Sequence, residues 1–306
     1  MSNEIFVPFD ETILRLPSCL TVHAQLHDHL SKFTSKDYVK YIQEFPRLHV
    51  CGIIRKTESE TTVIAVAVYR YHSSSFDTIR FEIDDIVVDE KERNHGLGTR
   101  LLRHLIEQAK QYGVTQILVH CDPANTNAHR WFFRHGLTII VFEFYMKNLQ
   151  ILPSNDQIRV IDITELPEEE NEKFLSSAQD VFRQLRPHLP TDSKQYITQI
   201  RNICRTGPAR MIVAINETNE ILGLSVYRFT ENMNFGKHIY CDDLVTNEQK
   251  RSSGVGRCLI NYMKNEGKKS GIDQLILDSG CQRGRAHKFY HREGFSISQY
   301  GFFMTI

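Results

Sequence analysis

The stretch Arg93–Gly98, RNHGLG, stands between an apolar run, FEIDDIVV (Phe81–Val88), and a segment of helical spacing, LLRHLIEQAKQYG (Leu101–Gly113). A strand, then Arg-x-x-Gly-x-Gly, then a helix is a device for holding an anion. The first amides of a helix have no intrahelical acceptor and carry partial positive charge, and glycine removes the Cβ atoms that would hold a pyrophosphate away from them. A single hexapeptide of this kind is equally compatible with a plain turn. A second copy changes its weight: RSSGVG, Arg251–Gly256, follows YCDDLVT (Tyr240–Thr246) and opens another helical run that ends at Gly271.

The two copies belong to a longer repeat. Residues 68–139 align with 226–297 at a constant offset of 158 and without a gap, and nineteen of the 72 positions are identical. Val68-Tyr69-Arg70 recurs as Val226-Tyr227-Arg228 and Asp84-Asp85 as Asp242-Asp243. Arg93, Gly96, Gly98, Gly113, Ala128, His129, Arg134 and Gly136 recur as Arg251, Gly254, Gly256, Gly271, Ala286, His287, Arg292 and Gly294. Ungapped identity that keeps these glycines in place marks a tandem duplication. A dinucleotide site of the GxGxxG type is a poor fit, because GLGTRL and GVGRCL lack the third glycine and lie mid-domain.

Pro, Ser, Asn and Asp cluster in KNLQILPSNDQ (Lys147–Gln157), which places the joint there and divides the chain into domains 1–150 and 158–306. Each half reads in the same order. A first strand (IFVPF; IRVIDIT) leads to a helical region (residues 21–45; residues 169–185), then two strands, then the strand with the acidic pair and the glycine turn. A helix, a buried strand (TQILVH; DQLILD), a short helix (NAHRWFFRHG; RAHKFYHREG) and a last strand follow. Leu101, Leu102, Leu105, Ile106, Ala109 and Tyr112 give the helix after the first turn its apolar stripe, and Gly113 its stop. The expected class is α/β, a mixed and mostly antiparallel sheet flanked by helices, twice.

Composition narrows the function. Lys+Arg and Asp+Glu both total 37, so no global field draws in nucleic acid or a membrane surface. The first residues lack the basic start and apolar core of a signal peptide, and no apolar run approaches the ~20 residues that span a bilayer. Seven cysteines without CxxC spacing argue against a disulfide framework and a structural zinc site, leaving no metal expected and a reduced, cytoplasmic setting.

Both halves resemble the GNAT superfamily of acetyl-CoA-dependent N-acetyltransferases, whose signature is Arg/Gln-x-x-Gly-x-Gly/Ala on this strand–turn–helix. The resemblance covers nearly the whole chain. It is strongest in the second half, where DDLVTNEQKRSSGVGRCLI, LILDSG and AHKFYHREGF look like common bacterial single-domain members. It implies that each turn binds the CoA pyrophosphate: Arg251, Ser252, Ser253, Gly254, Val255, Gly256 and Arg257 in the second half, and Arg93, Asn94, His95, Gly96, Leu97, Gly98 and Thr99 in the first. It further implies that the strand before each turn bulges and splays from the next, so that Leu244, Val245 and Thr246, and Ile86, Val87 and Val88, pair with pantetheine as an added strand would. Two acetyl-CoA per chain are therefore expected.

Acetyl transfer from a thioester to an amine needs a neutral amine and an acid for the departing thiolate. A tyrosine can be that acid, since its pKa near 10 is close to that of a thiol. In the family it lies four residues after the alanine of the late helix. Ala286-His287-Lys288-Phe289-Tyr290 matches and makes Tyr290 the general acid, whereas the aligned residue of the first half is Phe132, which has no proton to give. The asparagine that bonds pantetheine in many members is kept as Asn125, and Arg283 replaces it in the second half. The acidic pairs are candidates for the base: Asp242 matches a glutamate proposed for that role in diamine acetyltransferases. Asp243 is the neighbouring candidate or a ligand of the bulge backbone, and Asp278 is a third choice. Alternation is expected to send the two members of each pair to opposite faces. His129 and His287 read as packing or hydrogen-bonding residues, Cys241 and Cys281 as small hydrophobes, and Glu168-Glu169-Glu170 as a helix start. The expected partner is an amine acceptor, a small molecule or a peptide, whose determinants fall in FDTIRFE and ENMNFGKHI. A rival class is a non-catalytic acyl-CoA-binding or protein-interaction module. A further alternative is a bacterial effector acting on a target in a host cytosol.

Overall fold

The bulged strands set the geometry of everything around them. In the computed structural model, which describes residues 3–45, 47–72, 79–206 and 209–306, the first half runs β1 (Asn3–Pro8), α1 (Glu11–Leu14), α2 (Pro17–Ala24), α3 (Ser35–Gln43), β2 (His49–Lys56), β3 (Thr61–His72), β4 (Arg80–Val88), α4 (Leu97–Gln111), β5 (Gln116–Cys121), α5 (Thr126–Arg134), β6 (Thr138–Lys147). The second half runs β7 (Arg159–Asp162), α6 (Glu168–Leu185), α7 (Ser193–Thr206), β8 (Ala209–Ile215), β9 (Ile221–Asn232), β10 (Gly236–Thr246), α8 (Val255–Lys269), β11 (Gln274–Gly280), α9 (Gly284–Arg292), β12 (Ser296–Thr305). The sequence reading missed α7 and took the region of α2 and α3 as one helical stretch. The Phe76–Thr78 part of the expected acceptor segment lies outside the described residues.

On β4 the ladder with β3 slips between Ile83 and Asp85, and on β10 the ladder with β9 slips between Cys241 and Asp243. The extra residue shifts the side-chain alternation by one. Phe81 and Ile83 belong to the core under α4; past the bulge it is Ile86 and Val88 that pack there, while Val87 joins the core on the other face. Asp84 and Asp85 therefore lie on one side of the sheet, as do Asp242 and Asp243, and the expectation of opposite faces fails for that reason.

The twelve strands of the described residues form one sheet, in the order β1-β2-β3-β4-β5-β12-β6-β11-β10-β9-β8-β7. The last strand of each half has crossed to the other: β12 pairs with β5, β6 pairs with β11, and β6 and β12 pair antiparallel between them. The cores follow the strands. Phe302 is fully buried in the first-half core and Phe144 in the second-half core. Each half is a sheet between two helical layers, α1–α3 or α6–α7 on one face and α4–α5 or α8–α9 on the other. The hairpin between β9 and β10 also crosses over, burying Met233 in the first-half core. The connecting segment is strapped along α8, where Asn261 donates to the Leu152 carbonyl at 2.6 Å and Lys264 to that of Gln150 at 2.9 Å.

Candidate active site

Parallel pairing between β10 and β11 covers only Ile239–Cys241 against Leu275–Leu277, and between β4 and β5 only Phe81–Ile83 against Ile117–Val119. Beyond the bulges the strands part, so among the described residues no strand lies beside the β11-facing edge of Leu244, Val245 and Thr246 or the β5-facing edge of Ile86, Val87 and Val88. Unpaired backbone of this kind can receive an extended ligand chain by strand addition.

Each opening leads to a glycine turn. Ser252 and Gly254 have φ of 70° and 90°, and Asn94 and Gly96 have 67° and 80°. This left-handed pair folds the chain back so that the free amides of α8 and α4 face outward; Gly254 and Gly96 are the N-cap residues and provide no side-chain cap of their own. Ser253, Arg251, His95 and Arg93 are exposed on the turns. Arg93 braces its turn by donating to the Val88 carbonyl at 3.2 Å. The second glycine of each motif faces a late helix: a Cβ on Gly256 would meet the Phe289 ring at 2.8 Å, and one on Gly98 the Trp131 ring at 3.4 Å. Gly256 thus lets α8 pack against the late helix α9, whereas at Gly98 a Cβ would make ordinary contact with α5. Val255 and Leu97 are buried beneath the turns, and Arg257 and Thr99 are tied to the late-helix ends, Arg257 to Glu293 at 2.8 Å and Thr99 to His135 at 2.8 Å.

Where β10 and β11 part lies a cavity of about 210 Å³ lined by Tyr290, Asp242, Asp243, Leu244, Asp278, Arg186, Arg283 and Tyr240 among others. Three of the sequence-derived candidates, Tyr290, Asp242 and Asp243, thus meet in one place. Tyr290 is 7% exposed, and burial raises its phenol pKa, so it holds a proton near neutrality. Its ring leans on Phe144 at 5.1 Å between centroids, a ring from the crossed strand β6. Asp242, the bulge residue, accepts from Arg228 at 2.8 Å, yet burial outweighs that cation and pushes its pKa up to about 6. Asp243 is fully buried against Arg186, 2.6 Å away, so a guanidinium holds its carboxylate.

The matching cavity of the first half is larger, about 550 Å³, and is lined by His27, Asp84, Asp85, His120, Asn125, Phe132, Glu143 of the crossed strand β6 and, from the other half, the Asn232–Phe235 hairpin. Phe132 leans on Phe302 of β12 at 5.0 Å, the mirror of the Tyr290–Phe144 contact. Arg70 pairs with Asp84 at 2.6 Å, as Arg228 does with Asp242. Asp85, the counterpart of Asp243, is bridged instead by His23 at 3.1 Å and His27 at 2.8 Å. Asn125 caps α5 by accepting from the Ala128 amide at 3.1 Å and lines the cavity; Arg283, at the start of α9, makes no such cap. His129 and His287 bond the Asp122 and Gly280 carbonyls at 2.9 and 3.0 Å, tying helix to strand.

Arg186, His23, His27, His120 and Glu143 were missed from sequence. A signal existed for two of them, since His27 precedes Asp85 by 58 residues and Arg186 precedes Asp243 by 57. That register lies upstream of the ungapped repeat. His120 and Asp278 occupy the same position of the two copies, 158 residues apart, and meet at 3.1 Å across the seam, where Tyr240 also donates to Asp278 at 2.9 Å. Two groups, His23–His27–Asp85 and His120–Glu143–Asp278, bring nitrogen and oxygen atoms within 4.8 Å of one another. Their shortest nitrogen–oxygen contacts are hydrogen bonds, and we assign neither group to an ion. No helix among the described residues is long and apolar enough to cross a membrane.

Comparison with known proteins agrees with this frame. The sequence model of the Acetyltransferase (GNAT) family matches residues 21–137 and 171–295. An uncharacterized N-acetyltransferase of Bacillus subtilis, YhdJ, is 32% identical over 123 residues, covering 40% of this chain and 84% of that protein. A GCN5-related N-acetyltransferase from Sphaerobacter thermophilus superposes with a TM-score of 0.62 over 99% of this chain and 95% of its own, at 13% identity. A tandem GNAT protein from the clavulanic acid biosynthesis pathway does so with 0.59 over 99% and 98%, at 12% identity. At such identities the two structures speak to the fold alone.

Proposed function

Because this chain belongs to the GNAT acetyltransferase family, we propose that it moves an acetyl group from acetyl-CoA to a primary amine, mainly in its second half, while the first half holds a second acetyl-CoA with weak or no turnover. The observation that supports this most is the meeting of Tyr290 with Asp242 in one cavity where β10 parts from β11.

Acetyl-CoA supplies an activated acetyl thioester. The residues present fit it: free amides and partial positive charge at the Ser252–Gly254 turn suit the pyrophosphate, and the unpaired edge of Leu244–Thr246 suits pantetheine. Asp242, with its pKa pushed up to about 6, is matched to accepting a proton from an incoming ammonium near neutrality. Tyr290, protonated in its buried position, gives its proton to the departing thiolate. Asp243, neutralised by Arg186, positions the bulge rather than reacting. The first half keeps the turn, the opening and Asn125 but has Phe132 in the acid position, which favours a cofactor-holding role there.

CoA release from acetyl-CoA, followed against a panel of simple amines, amino sugars and lysine-containing peptides, tests the reading. Release with at least one amine, yielding the N-acetyl product by mass, supports it; acetyl-CoA binding without transfer to any of them favours the non-catalytic module.

A further inference from the structure

The residue that replaces a lost group is visible in the first-half cavity. His27 lies on the loop after α2, partly buried, and lines the cavity together with Asn125 and Phe132. Its Nε2 is 2.8 Å from Asp85 Oδ1, and no hydrogen-bond partner of its Nδ1 occurs among the described residues. Asp85 is itself locked: its other oxygen is 3.1 Å from His23, whose Nδ1 is 2.8 Å from the Tyr38 hydroxyl. The imidazole is thus oriented by a buried carboxylate on one nitrogen, leaving the other nitrogen for the cavity, the arrangement by which an oriented histidine handles protons. Among the described residues of the second half no histidine bridges the inner aspartate in this way. There Asp243 is paired with Arg186, whose guanidinium cannot release a proton, and Tyr290 provides the acid instead.

We propose that His27, oriented by Asp85, is the acid–base residue of a second acetyl-transfer centre in the first half, standing in for the tyrosine that Phe132 replaces. The proposal rests on the reading that this half binds acetyl-CoA. In the reaction the amine nitrogen bonds to the acetyl carbon and the carbon–sulfur bond breaks. The Nδ1 proton of the His27 imidazolium goes to the sulfur, and the proton lost by the amine restores the imidazolium, so charge and protons balance over one turnover. The charged and titratable neighbours of His27 favour the protonated starting state. Asp85 and Asp84 on β4 raise its pKa although burial, the largest influence, opposes them, while His23 on α2 and the adjacent His29 are the other titratable rings in reach.

Coenzyme A itself is the probe, because a thiol beside an imidazolium ionises at lower pH than a free one. Calorimetry of the whole chain with CoA should give two bound per chain. Ultraviolet thiolate absorbance should show one bound thiol titrating at lower pH than free CoA, and His27→Gln should abolish that low-pH signal while two CoA still bind. Two bound CoA whose thiols both titrate like free CoA, or a low-pH signal that survives His27→Gln, would overturn the proposal alone. A single CoA per chain that is still bound by His95→Glu would sink the two-cofactor reading and this proposal with it. Turnover provides a second arm. In a Tyr290→Phe background the residual CoA release should fall as pH rises, as an imidazolium acid requires, and should drop at least about tenfold further on His27→Gln. Residual release indifferent to His27→Gln rejects the assignment.

Discussion

The two halves share a backbone and differ in their protons. Bulge, parted strands, left-handed turn and late helix recur at the same places, and an aromatic ring from the crossed strand supports the same late-helix position in both, Phe144 under Tyr290 and Phe302 under Phe132. What changed is which groups titrate. The second half pairs its inner aspartate with a permanent cation, Arg186, and keeps a phenol; the first pairs it with two histidines and has lost the phenol. Duplication preserved what backbone geometry needs, because each left-handed residue and each bulge constrains the chain on both sides. Single side chains in the cavity could then change without disturbing that frame.

The largest expected effect breaks the comparison at its clearest point. Tyr290→Phe makes the second half resemble the first and should reduce turnover roughly 10²–10⁴-fold with acetyl-CoA affinity nearly kept. Unchanged turnover, with chemistry shown to be rate-limiting, removes Tyr290 as the acid. The next effect tests the crossed strands. Phe144→Ala and Phe302→Ala each empty a fully buried site and should cost about 3–5 kcal/mol in chemical denaturation. Because each ring comes from one half and fills the other, Phe144→Ala should weaken the second-half site and Phe302→Ala the first; effects confined to the half that encodes the residue would contradict the exchange.

A smaller effect separates the two turns. Ser253 and His95 are exposed, so Ser253→Glu and His95→Glu add a carboxylate at a helix N-terminus without touching the core. Placed where a pyrophosphate would sit, that charge should weaken one CoA site in each variant by about 10–100-fold, with Ser253→Glu carrying most of the loss of turnover. Turnover lost in His95→Glu and kept in Ser253→Glu would reverse the assignment of the halves. These substitutions are cleaner than changing Gly256, whose Cβ would strike Phe289 and disturb helix packing as well as binding.

Much of this was legible in sequence because local rules governed it. Repeat, turn, helix stop at Gly113 and buried strands all follow from spacing, while Tyr290 and Asp242 were singled out by a resemblance, Tyr290 by its distance from Ala286 and Asp242 by matching a glutamate of diamine acetyltransferases, and their roles are proposals. The crossing of β6 and β12 was not legible. The alternation of TIIVFEFYM suits either partner strand, and only the fully buried Phe144 and Phe302 record the choice. Nor could spacing give the direction of the aspartate pairs, since a bulge carries no residue signature here and reverses every side chain after it. His27 and Arg186 were hidden for a related reason: they meet the bulge from just past the ends of α2 and α6, in the part of the chain where the copies have diverged.

The smallest expected effect uses pH to separate the inner aspartates. His27 has its pKa raised above the ordinary 6.5, with burial opposing and Asp85 overriding it, so its stabilising contribution is complete below pH 6.5 and is lost as pH rises through the raised value. Asp85 is held below its ordinary 3.8, with burial opposed by the hydrogen bonds from His23 and His27. Its contribution is present above 3.8 and is lost only as pH falls through the lowered value. The pair therefore stabilises most between those ordinary values and weakens toward alkaline pH, whereas a guanidinium partner stays charged across the range. Asp85→Asn should accordingly cost less in denaturant unfolding at alkaline pH than at mildly acidic pH, because the His27 charge that the carboxylate holds is lost there. Asp243→Asn, which removes the partner of Arg186, should cost the same at both. Parallel pH profiles for the two variants would show that the histidines of the first half hold their aspartate no differently from an arginine, and the contrast between the halves would then rest on Tyr290 and Phe132 alone.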